Sequence, residues 1–189
     1  MNDVAAHGVV GPGMRATLRA ATRELHAKIE EMWTPDGGFG SRQTYLDFLY
    51  ALLCVHQQLG VPAALRRGDP EDAAEEYRRI RALCNDLELP RPRSLGLNEL
   101  DEGFAWGVGY VLNGSSLGAT ILLDRGALQP DWPTQYLSVG REYVKSGHLK
   151  RFFDSLNVVG HDPKSVQRGA FATFDQIGAL RNATRREIA

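Results

Sequence analysis

The sequence predicts a single all-α domain, and three observations support that prediction. Apolar residues recur at spacings of seven, four and three, as along Leu18, Leu25, Ile29 and Met32, which is typical of a helix with one buried face. No segment alternates apolar and polar residues over more than a few positions. Breaks rich in proline and glycine separate the helical segments. With 189 residues the chain is long enough to bury a substantial core.

We predict six to eight helices in one domain, residues 14–189, behind a flexible glycine-rich start at residues 1–13. The first helix runs from Met14 to Met32. Ser41 can cap the second, whose apolar stripe comprises Tyr45, Phe48, Leu49, Leu52 and Leu59. Asp69 and Pro70 open the third.

The third helix has an apolar stripe that runs through Tyr77, Ile80, Leu83 and Cys84. A fourth covers residues 98–123, two shorter helices cover 134–145 and 148–156, and the last begins after Asp162-Pro163.

The composition excludes several classes of protein. Lys and Arg number 22 against 23 Asp and Glu, so the chain lacks the basic surface of a nucleic-acid binder. We expect the arginine pairs 66–67, 78–79 and 185–186 to be solvated. Cys54 and Cys84 are too few and too far apart for a disulfide framework or a metal site, which favours two buried thiols in a cytoplasmic protein.

One segment has the length of a membrane span. Residues 104–123 carry no charge, but they include four glycines and several polar residues, and acidic residues flank them on both sides. We therefore predict a buried core helix and no membrane span. Residues 1–13 lack the pattern of a secretory signal.

Glycines form a stripe on the fourth helix. At about 100° per residue, Gly103, Gly107, Gly114 and Gly118 lie within roughly 60° of one another. Each is about 1 kcal/mol less favourable than alanine inside a helix, so a neighbour must approach this backbone closely. Either another helix or a flat ligand could do so, and periodicity alone favours the helix.

His26 lies at the edge of the apolar stripe of the first helix. Arg19 points within about 20° of the same direction, about 10.5 Å away along the axis. The imidazole could ligate a metal while the arginine binds an anionic group, or both could be solvated surface residues. His56, in the second predicted helix, is the rival candidate for ligation.

These segments resemble a known family. Leu18 to Glu30 resembles the proximal helix of haem oxygenases, with the pattern L-x-x-x-T-x-x-x-H ending at Thr22 and His26. Residues 110–119 resemble their distal helix, and most closely the bacterial enzymes with a G-S-x-L-G-A motif, including those encoded beside bacteriophytochromes. Residues 148–156 resemble the helix that follows. The likeness extends from about residue 14 to 180.

The resemblance implies a haem-oxygenase-like helical bundle with haem held between the proximal and distal helices. Haem would be both cofactor and substrate, opened by O₂ and external electrons to biliverdin, CO and ferrous iron. The chain has no flavin or nicotinamide fingerprint, so the donor would be a ferredoxin or a flavoprotein reductase. A bacteriophytochrome is a candidate acceptor of biliverdin. The alternatives are a non-catalytic haem-binding or haem-sensing protein and an all-α interaction module without a ligand.

The resemblance also implies roles for individual residues. His26 would be the axial ligand of the haem iron, with a second group fixing its other ring nitrogen, and Thr22 belongs to the same motif. Gly114 and Gly118 would let the distal backbone approach the haem. The propionates would be bound by cations and a phenol, for which the candidates are Arg19, Tyr110, Lys150 and Arg151.

Ser115 departs from the pattern of many family members, which have an aspartate at this position to organise proton delivery. A hydroxyl can hold water but does not act as a carboxylate near neutral pH. We predict an active enzyme in which Ser115 and backbone groups hold the water that delivers protons. Ala119 replaces the second glycine of the usual pair.

Overall fold

The computed structural model describes residues 13–90, 100–158 and 160–187, apart from the side chains of residues 36 and 182–187. Every regular element in these ranges is helical, which confirms the all-α prediction. The helices are α1 (Met14–Trp33), α2 (Arg42–Val55), α3 (Val61–Arg67), α4 (Pro70–Asp86), α5 (Glu102–Asp124), α6 (Gln135–Lys145), α7 (His148–Val158) and α8 (Pro163–Glu187).

Side-chain caps start several of the helices. The Ser41 hydroxyl accepts a hydrogen bond from the Thr44 amide at 3.1 Å, and Asp69 accepts one from Glu71 at 2.8 Å. Gly68 ends α3 with a φ of +77°, a left-handed conformation that favours glycine. The predicted starts of α2 and α4 are therefore confirmed, with the predicted capping residues.

Helices α2 and α3 form one continuous rod, Arg42–Arg67, through a π-helical turn at His56–Gly60. The described part thus contains seven separate helices, within the predicted range. This rod is long and apolar enough to cross a membrane, but 61% of its most apolar stretch is buried against the rest of the protein. Such burial is typical of a core helix.

Helix α5 is central to the packing, with α8, α6 and α3 around it. Helix α8 begins against α5, where Gly169 meets Phe104, and continues against α1, where Gly178 meets Ile29. Helices α1 and α5 both pack on α7 and α8. Helix α8 therefore contacts α5 through its first part and α1 through its second, and we call the region beside α8, between α1 and the second half of α5, the wedge.

Two features of the prediction are wrong. Arg67 and Arg79 are not solvated: both side chains are buried, and each contacts a carboxylate. Cys84 is buried as expected, whereas Cys54 is only half-buried. Residues 98–99 of the predicted fourth helix lie outside the described residues, as does the predicted flexible start apart from Gly13.

Candidate functional site

The first half of the α5 glycine stripe packs against another helix. A Cβ added to Gly107 would lie 1.9 Å from the carbonyl oxygen of Val166 and 2.7 Å from the amide nitrogen of Ala170. A Cβ on Gly169 would likewise lie 2.0 Å from the carbonyl oxygen of Phe104. Glycines on both helices thus allow α5 and α8 to meet backbone to backbone.

The second half of the stripe is open. A Cβ added to Gly114 or Gly118 would meet no atom of the described residues within 4 Å. Leu117 and Ile121 flank these two glycines on one side, about 80° and 40° from their midline, and both are exposed. Tyr110 is half-buried. We call these five residues the open face of α5. It combines bare backbone with uncovered apolar side chains, a combination that suits a flat apolar ligand.

His26 lies on the other side of the wedge. Its side chain is 60% exposed, and Nδ1 is 3.4 Å from Oε2 of Glu30, one turn further along α1. The ring meets Phe174 of α8 edge-on, with the centroids 6.0 Å apart. Nε2 has no polar partner among the described residues. An imidazole held on one nitrogen and free on the other is able to ligate a metal.

His56, the rival candidate, is completely buried. Its Nδ1 is 2.5 Å from Oε2 of Glu76, and its Nε2 is 3.0 Å from the hydroxyl of Tyr136. Both ring nitrogens are therefore occupied, so this histidine is not available as a ligand.

A buried polar network extends from His56 along the back of α5. Arg79 Nη1 is 3.2 Å from Oε1 of Glu76 and donates to Oδ1 of Asn113 at 2.9 Å. Burial acts to raise the pKa of Glu76, but His56 and Arg79 outweigh it and lower the pKa to about 2. Glu76 is therefore ionised, so Nδ1 of His56 carries the proton that it donates to this carboxylate.

Ser115 connects this network to the edge of the open face. Its hydroxyl donates to the carbonyl oxygen of Leu112 at 2.7 Å and lies 3.5 Å from the hydroxyl of Tyr136. Burial raises the pKa of Tyr136, so that residue keeps its proton. The hydroxyls of Ser115 and Tyr136, the imidazole of His56 and the carboxylate of Glu76 thus form one chain of polar groups.

The three cations predicted to bind the propionates differ in whether a carboxylate of the protein already pairs with them. Arg19 is exposed and has no carboxylate partner among the described residues. Lys150 is 82% exposed and pairs with Asp154 at 2.6 Å. Arg151 lies 3.6 Å from Glu71.

Thr22 is buried and donates to the carbonyl oxygen of Leu18 at 2.8 Å, within its own helix.

Sequence reasoning missed Glu30 and the buried network. The carboxylate of Glu30 had a visible signal, because a residue four positions after His26 lies next to it on a helix. The charges of Glu76 and Arg79 gave no comparable signal, because their partners come from other helices.

Comparisons with known proteins support the fold. No model of a known protein family matches the sequence, and no curated protein does either. Among solved structures, the chain is similar to a haem oxygenase from Neisseria meningitidis, determined with NO and CO bound. The two are 18% identical over 91% of this chain and 92% of that chain, with a TM-score of 0.62. At this identity the likeness extends to the fold alone.

Proposed function

We propose that this protein is a haem oxygenase that binds haem in the wedge between α1 and the open face of α5. The observation that carries this proposal is that the chain offers both an exposed imidazole, His26, and a bare-backbone apolar face on α5, on two helices that share α8 as a neighbour. Helices α1 and α5 both pack on α8. The fold shared with the Neisseria enzyme supports the same conclusion.

His26 would ligate the haem iron through Nε2. Glu30, beside Nδ1, would accept the proton of that nitrogen and so set the tautomer and the orientation of the ring. Phe174 borders the same ring and limits its rotation.

The open face of α5 would form the distal wall. Gly114 and Gly118 expose backbone there, and Leu117 and Ile121 provide apolar contact. Bound haem supplies the iron at which O₂ reacts, and it is also the substrate whose ring is opened. No carboxylate stands on this face, and the ionised carboxylate nearest along the polar chain is Glu76, behind Tyr136 and His56. We propose that Ser115, backed by this chain, holds the water that delivers protons.

The partners would follow from this chemistry. Electrons would come from an external ferredoxin or flavoprotein reductase, and biliverdin could pass to a bacteriophytochrome. We place the reaction in the cytoplasm, where free thiols such as Cys84 stay reduced.

Two experiments test the proposal, first for ligation and then for turnover. Hemin added to the purified protein should produce a Soret band that His26→Ala alters, whereas the control His161→Ala should leave it unchanged. Loss of the histidine-ligated spectrum in His56→Ala with His26→Ala unaffected would contradict the assignment. With O₂ and a reductant, biliverdin absorbance should grow as the Soret band fades.

A non-catalytic haem-binding or haem-sensing protein is the second candidate. The observation that favours it is the hydroxyl of Ser115 at a position where many haem oxygenases have a carboxylate. A Soret band that forms on His26 but survives O₂ and reductant would establish this candidate over the enzyme. If hemin produced no Soret change, the remaining alternative, an all-α interaction module without a ligand, would be favoured.

A further inference from the structure

Arg15, in the first turn of α1, lies on the same face as His26 and Arg19. At about 100° per residue, Arg15 and Arg19 each point within about 20° of His26, on opposite sides of it. Arg15 is about 16.5 Å from His26 along the axis and Arg19 about 10.5 Å. The two guanidinium groups therefore form a short cationic row at one end of the histidine face.

Contacts with α7 hold Arg15 in place. Its Cζ lies 4.1 Å from the centroid of the Phe153 ring, and its amide donates to Oδ1 of Asn157 at 3.0 Å. Phe153 in turn lies 6.2 Å, centroid to centroid, from Tyr110, a member of the open face. The guanidinium is thus fixed at the corner where α1, α5 and α7 meet, beside the wedge.

The charge on Arg15 is not neutralised by a carboxylate within the described residues. Lys150 and Arg151, the two cations of α7 with a comparable predicted role, lie beside Asp154 and Glu71 respectively. A guanidinium stacked on an aromatic ring keeps its N–H edge free for two parallel hydrogen bonds to a carboxylate. Arg15 combines this geometry with an unbalanced charge.

We infer that Arg15, together with Arg19, binds the carboxylates of the ligand, and that Lys150 does not. The inference rests on the proposed haem function and adds a residue to the site. The ligand class is a flat, apolar molecule with carboxylates at one edge. Because Arg15 lies at the Tyr110 corner, the carboxylate edge of the ligand would point towards the start of α1 and the apolar edge towards Ile121.

Hemin and hemin dimethyl ester, whose carboxylates are blocked, distinguish this role from a structural one. Arg15→Gln should weaken hemin binding, measured by Soret titration, by roughly tenfold, as expected for loss of a charge-assisted hydrogen bond. Binding of the ester should be the same in wild type and variant. Lys28→Gln, which removes a charge about 180° around the helix from Arg19, should change neither affinity. Lys150→Gln should also change neither.

A second variant guards against a folding defect. Arg15→Lys keeps the charge but removes the planar fork, so hemin affinity should fall between that of wild type and Arg15→Gln. Equal losses for hemin and its ester, or no loss for either, would overturn the role of Arg15 even if wild type binds hemin. If wild type gives no Soret change with hemin, the proposed function fails, and this inference fails with it.

Discussion

The two halves of α5 carry the same glycine pattern for opposite reasons. Around Gly107 the backbone of α8 is so close that a single methyl group would overlap the carbonyl of Val166. Around Gly118, eleven residues later and within about 20° of the same direction, a methyl group would meet none of the described residues within 4 Å. Helix α8 covers the first half of the stripe, whereas nothing in the described part of the chain covers Gly114 and Gly118 in the second half.

This difference shows how to interpret a row of glycines that destabilises a helix. Each glycine destabilises the helix by about 1 kcal/mol relative to alanine. In the first half, close contact between α5 and α8 compensates that cost within the folded chain. In the second half no contact within the described residues compensates it, so another interaction must supply the benefit that offsets it. We take that benefit to be ligand binding.

The back of the open half is, by contrast, firmly held. Arg79 donates to Asn113 and lies 3.4 Å from the hydroxyl of Ser116, and Glu76 and His56 continue the network towards α6. The open half is therefore held by hydrogen bonds on one side and meets no described residue at Gly114 and Gly118 on the other, an arrangement that fits the proposed preformed site.

The largest expected effect is that of Gly107→Ala. The added methyl group would force α5 and α8 apart along backbone that cannot yield, so we expect a loss of about 4 kcal/mol in the free energy of unfolding. Urea denaturation measures it. Gly169→Ala, at the same crossing, should show a loss of similar size. A loss below about 1 kcal/mol in both would mean that the two helices are not in close contact.

The next largest effect is the loss of folding stability expected for Glu76→Gln, which alters the buried network behind the open half of α5. The pKa of Glu76 is lowered to about 2 in the folded protein, against about 4.3 in an unfolded chain. Its ionised form therefore stabilises the fold above pH 4.3, and that stabilisation is lost as the pH falls towards 2. We expect the variant to lose roughly 2–3 kcal/mol at pH 7.

Measuring the free energy of unfolding from pH 7 to pH 2 checks this sign. Wild type should lose more stability than Glu76→Gln on acidification, so the difference between them should shrink as the pH falls. A constant difference across this range would show that the charge of Glu76 does not matter to the fold.

The smallest expected effect is that of Gly118→Ala, and it has the opposite sign. Open space accepts the methyl group, so the ligand-free protein should gain about 0.5–1 kcal/mol in the free energy of unfolding. Hemin affinity in the Soret titration should fall, because the methyl group occupies the proposed distal wall. A variant that is both more stable and equal in hemin affinity would show that no ligand approaches this backbone.

The helices were predictable because their signals are local. Asp69 with Pro70 marks the start of α4, and the break after Trp33 marks the end of α1. The predicted helix starts at residue 98, whereas α5 begins at Glu102 with Asp101 as its cap; both Asn98 and Asp101 are residue types that cap helices, so the local sequence does not choose between them. The Asp101 side chain accepts from the Phe104 amide at 2.8 Å and also contacts Ser165 of α8, a distant residue.

The interior of α4 was not predictable. Hydrophobicity placed Tyr77 in the core, but Tyr77 is 49% exposed, whereas Glu76 and Arg79 are buried. Burying a charge is unfavourable unless it is paired and hydrogen-bonded. Glu76 is paired with His56, twenty residues away, and Arg79 donates a hydrogen bond to Asn113, thirty-four residues away. No local pattern could report either partner.

The sequence by itself determined that α5 has a stripe of bare backbone and that α1 carries His26 and a row of arginines, because helical periodicity fixes the direction of each side chain. Only the tertiary structure decided what covers the stripe. Helix α8, some sixty residues further along the chain, covers Gly107 and then leaves α5 for α1. Packing against Glu76 of α4 and Tyr136 of α6 buries His56, whereas His26 stays exposed at the edge of the wedge.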